Sequence, residues 1–301
     1  MGSSPTKQEI VAVVVLYHPA TDVLDNIDSY SSQVDKVIAV DNTDRPDGDF
    51  IGDLTSRGVD YRPLGGNKGI AAALNEGCRH AQDLGYGWAL TMDQDSTAVP
   101  FMVERLSECL EPAESQTIAI VAPVWQHVGG LPETTGAGCK ELDLAMTSGD
   151  LLRLAAFRDL GGFREDLFID RVDNEFCLRA RRRGWRIVQK QDALLLHRMG
   201  RLRRVTFPVR CYVTDYSPLR RYYMVRNLFE LRREFGAEFP ESVAIEKRYW
   251  RKEVVKVILA EPQRLKKLRM MLQGWLDYRR GRFGRYEDLH PSRDRKPATE
   301  R

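Results

Sequence analysis

Four short runs of apolar and β-branched residues, at 11–17, 36–40, 59–62 and 88–92, punctuate the first hundred positions, each bounded by turn residues or charge. They read as buried parallel strands. Between them the apolar positions change to helical spacing, as in Val23, Ile27 and Tyr30 and again in Ile70, Ala73, Leu74, Gly77, Cys78 and Ala81. Strand and helix in alternation predict an α/β fold with a doubly wound, mostly parallel sheet flanked by helices.

Beyond residue 100 the order loosens. The pattern predicts a helix at 100–110, a strand at 118–121, a hairpin or mobile loop in the Gly- and Thr-rich stretch 129–138, and a short strand at 193–196. From about residue 205 the composition turns to Arg, Tyr and Leu, with Pro208 and Pro218 as breaks and helical patterns over 219–235 and 242–276. The charged, apolar-poor last dozen residues predict disorder. The expected plan is a flexible N-terminus over 1–8, a main domain over 9–205 that divides near residue 100, a helical C-terminal region over 206–288 and a tail over 289–301.

Composition narrows the function classes. In 301 residues of which 43% are hydrophobic a sizeable core is available, and 46 basic residues against 43 acidic ones give no electrostatic case for a nucleic-acid partner. Five cysteines, Cys78, Cys109, Cys139, Cys177 and Cys211, lack any Cys-x-x-Cys pair and read as reduced thiols of a cytoplasmic protein. The most apolar run, 11–17, is far too short to span a bilayer.

Ligands of open α/β sheets bind beyond the carboxyl ends of the strands, so the residues after each strand carry the candidate chemistry. Here four adjacent strands end in Tyr17-His18-Pro19, in Asp41-Asn42, in Gly65-Gly66-Asn67-Lys68-Gly69 and in Asp93-Gln94-Asp95. Two carboxylates one residue apart suit a hard divalent cation that also takes phosphate oxygens, although Asp-x-Asp is common on solvated turns. Asn67 and Lys68 stand at the start of a helix, where free backbone N–H groups can hold an anion; close packing alone explains the alanines that follow. Neither a phosphate-binding loop ending in Gly-Lys-Ser/Thr nor a dinucleotide-binding Gly-x-Gly-x-x-Gly turn is present.

A second acidic group, Asp166, Asp170, Asp173 and Glu175, precedes an arginine-rich helix. Such carboxylates serve as caps and dipole partners, or one of them takes the proton of an attacking hydroxyl. His197 closes the strand at 193–196, where it is either a hydrogen-bonded residue or a metal ligand.

In their order these residues resemble the inverting glycosyltransferases of family 2, which have the nucleotide-sugar-binding fold called GT-A. The likeness covers about residues 9–200 and rests on the Tyr-His-Pro strand end, Val40-Asp41-Asn42, Asn67-Lys68-Gly69 with Asn75 and Gly77, Met92-Asp93-Gln94-Asp95-Ser96, Ser148-Gly149-Asp150, Gly161-Gly162-Phe163, Asp173 with Cys177-Leu178-Arg179, and His197 with Gly200. It implies that residues 9–100 bind nucleotide and 101–205 shape the catalytic and acceptor side, Gly149 and Asp150 among them. Asp41 would contact the base, Asp93 would lie near the ribose or sugar, and Asp95, His197 and Asp93 would hold Mg²⁺ or Mn²⁺. Asp173 would be the base. Because Val172 stands where the family has the first acid of a Glu-Asp pair, Asp170 is the reserve candidate. Within the family the wording around Asp93, Asp170 and Arg221 to Asn227 resembles the bacterial rhamnosyltransferases, which use dTDP-L-rhamnose, and implies a glycan or lipid-linked acceptor in surface polysaccharide synthesis. Arg221, Tyr222 and Arg226 then fit either clamps on the donor diphosphate or a solvated helix face, and Tyr17 and His18 line the donor crevice.

Between 247 and 285, basic residues alternate with Trp250, Val254, Val257, Ile258, Leu265, Leu268, Met271, Trp275 and Phe283. One apolar face with a cationic border predicts packing on the main domain, a homodimer interface, or peripheral contact with an anionic membrane. The rival functions are a sugar-phosphate nucleotidyltransferase, which needs a Gly-rich loop after strand one, and a non-catalytic nucleotide-sugar-binding protein.

Overall fold

The computed structural model describes residues 5–110, 115–127, 136–197, 203–206 and 211–291. The Gly-rich stretch at 129–138, Gly200 and the tail lie wholly or largely outside them. The chain divides into two compact units, Met1–Arg164 with Val172–Gly200, and Glu165–Arg171 with Arg201–Arg301.

The first unit is built on a sheet whose order, among the described residues, is β3-β2-β1-β4-β8-β6-β9-β5. β1 (Ile10–Leu16), β2 (Lys36–Asp41), β3 (Asp60–Pro63) and β4 (Trp88–Asp93) run parallel, and every residue of β1 is buried, as an apolar run without alternation requires. α1 (Val23–Ser31), α2 (Gly48–Ser56) and α3 (Ile70–Asp83) make the crossovers. Gly77 explains how closely α3 lies on the sheet: a Cβ there would stand 2.2 Å from Val13 Cγ1. The rest of the sheet is mixed. β5 (Ser96–Ala98), α4 (Met102–Ser107), β6 (Ile118–His127) and β7 (Cys139–Glu141) follow, then β8 (Asp150–Arg153), which lies antiparallel between β4 and β6 and runs straight into α5 (Leu154–Leu160). α6 (Val172–Arg182) and β9 (Arg186–His197) complete the unit, with β9 parallel to β6 and antiparallel to β5 and β7. The doubly wound expectation therefore holds for the first four strands; beyond β4 the sheet is extended by β6 and β9, which run with them, and by β8, β5 and β7, which run against them.

Cys109 and Cys139 form a disulfide that ties the turn after α4 to β7, which corrects the expectation of reduced thiols throughout; Cys78 and Cys177 are free and buried.

The second unit holds a small hairpin of β10 (Arg203–Val205) and β11 (Cys211–Val213), then α7 (Pro218–Phe235), α8 (Pro240–Ala260), α9 (Arg264–Arg279) and α10 (Tyr286–Leu289). The helix expected over 242–276 is two helices, because Pro262 cannot continue α8 and Gln263 takes a left-handed φ of 53°. Val225, Val257 and Met271 form a core with Phe229, Trp250, Val254, Leu268 and Trp275, so most of the expected amphipathic stripe is spent inside the unit. No helix among the described residues is long and apolar enough to cross a membrane.

Candidate active site

The sheet order makes the ends of β3, β2, β1 and β4 neighbours, and their loops are bonded to one another. Tyr17 N donates to Gln94 Oε1 (2.7 Å) and Gln94 Nε2 returns a bond to Tyr17 O (3.2 Å), joining the ends of β1 and β4. His18, at a left-handed φ of 45°, donates its N–H to Thr43 Oγ1 (2.9 Å). Asn42 ties the start of α3 by accepting from Lys68 N (2.7 Å) and donating to Gly69 O (3.0 Å), while Asn67 Oδ1 accepts from Gly69 N (3.0 Å). Lys68 is exposed. Asp41 is only 1% exposed, and its oxygens already accept from Thr43 N (2.8 Å) and Tyr61 OH (2.7 Å), so it holds Tyr61 in the crevice wall.

At the end of β4, Asp93, Asp95 and His197 bring one ligand atom each to within 4.8 Å of one another. Oxygen and nitrogen donors gathered this closely can share one cation with only small movements of their side chains. Backbone pairing puts them there, since Ser96 of β5 lies opposite His197 of β9. His197 Nδ1 sits 3.5 Å from Asp95 Oδ1 and 2.8 Å from Ser96 Oγ. Ser148 Oγ donates to Ser96 Oγ (2.8 Å) and accepts from Asp93 N (3.0 Å), while Trp125 Nε1 holds the Ser148 carbonyl (3.0 Å) and its ring lies 4.6 Å from that of His197. Ser96, Ser148 and Trp125 thus support the cluster from behind, the arrangement that fixes ligand orientation in metal sites. Only the position of Ser96 beside Asp95 hinted at this in the sequence.

Gly149 and Asp150 form the turn next to it. Gly149 has a φ of 84° and a Cβ would stand 2.7 Å from Pro123 Cγ, so its role is to let the backbone through. Asp150 is buried, its Oδ1 has no hydrogen-bond partner, and it lines a small cavity with Thr91, Thr147, Asp173 and Cys177. Burial pushes its carboxyl well above the ordinary carboxylate value, and the nearby charges of Asp173 and Asp93 push it further. An acid whose folded pKa is raised loses stability as pH rises from its unfolded value towards its folded one. Asp150→Asn removes that loss. In thermal melts with chelator, its midpoint should exceed the parent's by a margin that grows with pH; a constant or shrinking margin would refute the assignment.

Asp173 opens α6, half-buried, its Oδ1 accepting from Asn174 N (2.8 Å). The neighbouring Glu175 is buried and held by Arg179 Nε (2.8 Å), which leaves Asp173 as the acid of this helix start that faces the cavity.

In the second unit, Asp170 is gripped by Arg220, whose Nε stands 3.3 and 3.2 Å from its two oxygens. That engagement weakens it as a reserve base. Arg221, Tyr222 and Arg226 are corrected outright as diphosphate clamps or a solvated face, because all three are buried. Arg221 pairs with Glu253 (2.9 Å) and Glu261, and Tyr222 OH donates to Asp277 Oδ2 (2.9 Å). Arg226 donates to the carbonyls of Gly284 (2.7 Å), Asp166 (3.1 Å) and Leu167 (2.9 Å). Asn227 adds bonds to the carbonyls of Leu167, Ile169 and Asp170. Together they hold the segment Glu165–Arg171, in which Phe168, Asp170 and Arg171 all have positive φ, immediately before α6 and Asp173 in the chain.

Neighbouring parallel strand ends, an acidic cluster that can take a cation, and a carboxylate in the first turn of α6 are the polar groups that the first unit offers for chemistry. The sequence matches the profile of Glycosyl transferase family 2 over residues 11–138. It is 31% identical over 251 residues to the dTDP-rhamnosyl transferase RfbF of Shigella flexneri, covering 75% of this chain and 80% of that one. The chain belongs to glycosyltransferase family 2. The crystal structure of S. aureus TarS 1-349 superposes with a TM-score of 0.52 at 14% identity, covering 91% of this chain and 92% of that one, a likeness of fold. Against a longer S. aureus TarS chain the TM-score is 0.49 at 13% identity, and this chain spans 43% of its length and 89% of its own. Membership disfavours the nucleotidyltransferase reading, as does Tyr17-His18-Pro19 where such enzymes carry a Gly-rich loop.

Proposed function

We propose that this glycosyltransferase moves L-rhamnose from dTDP-L-rhamnose, with inversion, to a hydroxyl of a glycan or lipid-linked acceptor in cell-envelope polysaccharide synthesis. The likeness to a dTDP-rhamnosyl transferase over most of both chains carries the choice of donor. We read the first unit as the donor-binding and catalytic part, working on the cytoplasmic side, and the second as an appendage that fixes the segment leading into Asp173.

The base of the donor lies along the ends of β2 and β3 against Asp41 and Tyr61. Tyr17, His18, Asn67 and Lys68 border the rest of the nucleotide, Lys68 bringing the exposed positive charge. Asp93, Asp95 and His197 fit a divalent cation, Mg²⁺ or Mn²⁺, which when bound neutralises charge on the departing diphosphate. Asp173 takes the acceptor hydroxyl's proton as its oxygen bonds to the anomeric carbon and the bond from that carbon to the diphosphate oxygen breaks. One displacement suffices, so no second nucleophilic carboxylate is needed.

The test is nucleoside diphosphate release across dTDP-rhamnose and the common UDP- and GDP-sugars, with rhamnan and other envelope glycan fragments as acceptors. The expected result is release from dTDP-rhamnose at a rate at least tenfold above any other donor. Equal or greater release from a different nucleotide sugar would replace the donor while keeping the enzyme class.

A further inference from the structure

Once α8 and α9 have spent one apolar stripe on the core of their own unit, a second set of aliphatic side chains is left outside. Ile245, Val255, Ile258, Leu259, Leu265 and Leu272 are between 41% and 80% exposed, Leu265 the most. They are not scattered. On α8, positions 245, 252, 255 and 259 recur at helical spacing on one outward face, and on α9 positions 265, 269 and 272 do the same. Ile258, Leu259, Arg264 and Leu265 crowd the turn at Pro262 where one helix gives way to the other.

The charges of these helices are sorted by sign. Glu253, Glu261 and Asp277 are buried and engaged with Arg221, Lys256, Lys267, Tyr222 and His290. Arg248, Arg251, Lys252, Arg264, Lys266 and Arg269 are exposed. Among the described side chains of the two helices, the one exposed acid is Glu241, in the first turn of α8.

Outward aliphatics interleaved with cations, and acids turned inward, suit a surface that is both apolar and anionic. We propose that the outward face of α8 and the α8–α9 turn dock on an anionic lipid bilayer, the aliphatic side chains entering the headgroup boundary and the cations meeting lipid phosphates. Charge complementarity selects this occupant over a second copy of the chain, since pairing the face with itself would set cation against cation. The proposal stands independently of the donor reading, because it concerns binding and not transfer.

The experiment is flotation of the full chain with phosphatidylglycerol-containing vesicles and with pure phosphatidylcholine vesicles, at low and high salt, with sedimentation velocity of the lipid-free protein alongside. The expected result is at least fivefold more protein floating with anionic vesicles, lost at high salt. Arg251→Glu with Lys252→Glu should cut this about tenfold and Leu265→Ser severalfold, all at exposed positions, with unaltered thermal midpoints and unaltered transfer to a soluble acceptor. No flotation, equal flotation with both lipids, or flotation indifferent to these substitutions overturns the proposal. So does a lipid-free dimer that Leu265→Ser converts to monomer, which would give the face to a second copy.

Discussion

Asp173→Asn should lower transfer by about 10²- to 10⁴-fold, the range that a positioned general base contributes, while donor binding stays within about twofold of the parent. The substitution keeps the shape of the side chain and its hydrogen bond from Asn174 N, so the helix start should persist. Titration of donor by calorimetry beside the rate of diphosphate release separates the two effects. Full transfer by this variant would remove Asp173 from the reaction and return Asp170 to consideration, despite its grip by Arg220. Loss of binding and rate together would mean that Asp173 shapes the site rather than taking a proton.

His197→Ala and Asp95→Ala should each weaken Mn²⁺ binding by more than about 100-fold, since even groups that only orient a ligand contribute 10- to 100-fold. Their transfer rate should fall with metal occupancy and recover in part at high Mn²⁺, which Asp173→Asn should not do. Ser96→Ala should give a milder loss, because Ser96 touches His197 Nδ1 from the side of Ser148. Binding of Mn²⁺ followed by its spin-resonance signal gives a readout apart from turnover. Unchanged Mn²⁺ affinity in both ligand variants would show that the three residues come together for another reason.

Much of this site could be read from the chain because its residues follow buried strands directly. β1, β2 and β4 announce themselves as mainly apolar, buried runs, whereas β3, Asp-Tyr-Arg-Pro at the end of the sheet order, is only partly buried, against the expectation of four buried strands. Parallel order then places Tyr17, Asp41, Asn67 and Asp93 at one sheet edge. β8 escaped because it is four residues long and passes into α5 without a turn signal. With β8 and β5 unseen, the pairings that bring Ser148 to Ser96 and Ser96 to His197 could not be seen either; they join residues 52 and 101 positions apart. β9 was legible only at its apolar end, since its first half has just two apolar residues, Ile187 and Val188, among polar ones, and the buried Lys190 reads as a surface residue in the sequence.

The arginines of α7 misled for a different reason. A helix pattern tells which side chains share a face but not what that face meets, and the partners of Arg221 and Arg226 lie 32 to 60 residues away. The same blindness applies to α8 and α9, whose apolar positions divide between a core and an outer face that hydrophobicity alone does not separate. Cys109 and Cys139 likewise meet only because β7 pairs with β9.

The buried ions of the second unit carry one more consequence. Arg221, Glu253, Glu261 and Lys267, with Lys256 and Asp215 at the margin, balance three positive charges against three negative ones. Removing one member strands its partner in a medium that tolerates no lone charge, at about 3–5 kcal/mol, whereas exchanging the interior members together for apolar side chains of similar volume can be neutral. Such positions are coupled rather than additive. Sequence drift here is therefore confined to concerted replacements, and a descendant that has lost Arg221 must already have found another answer for Glu253 and Glu261.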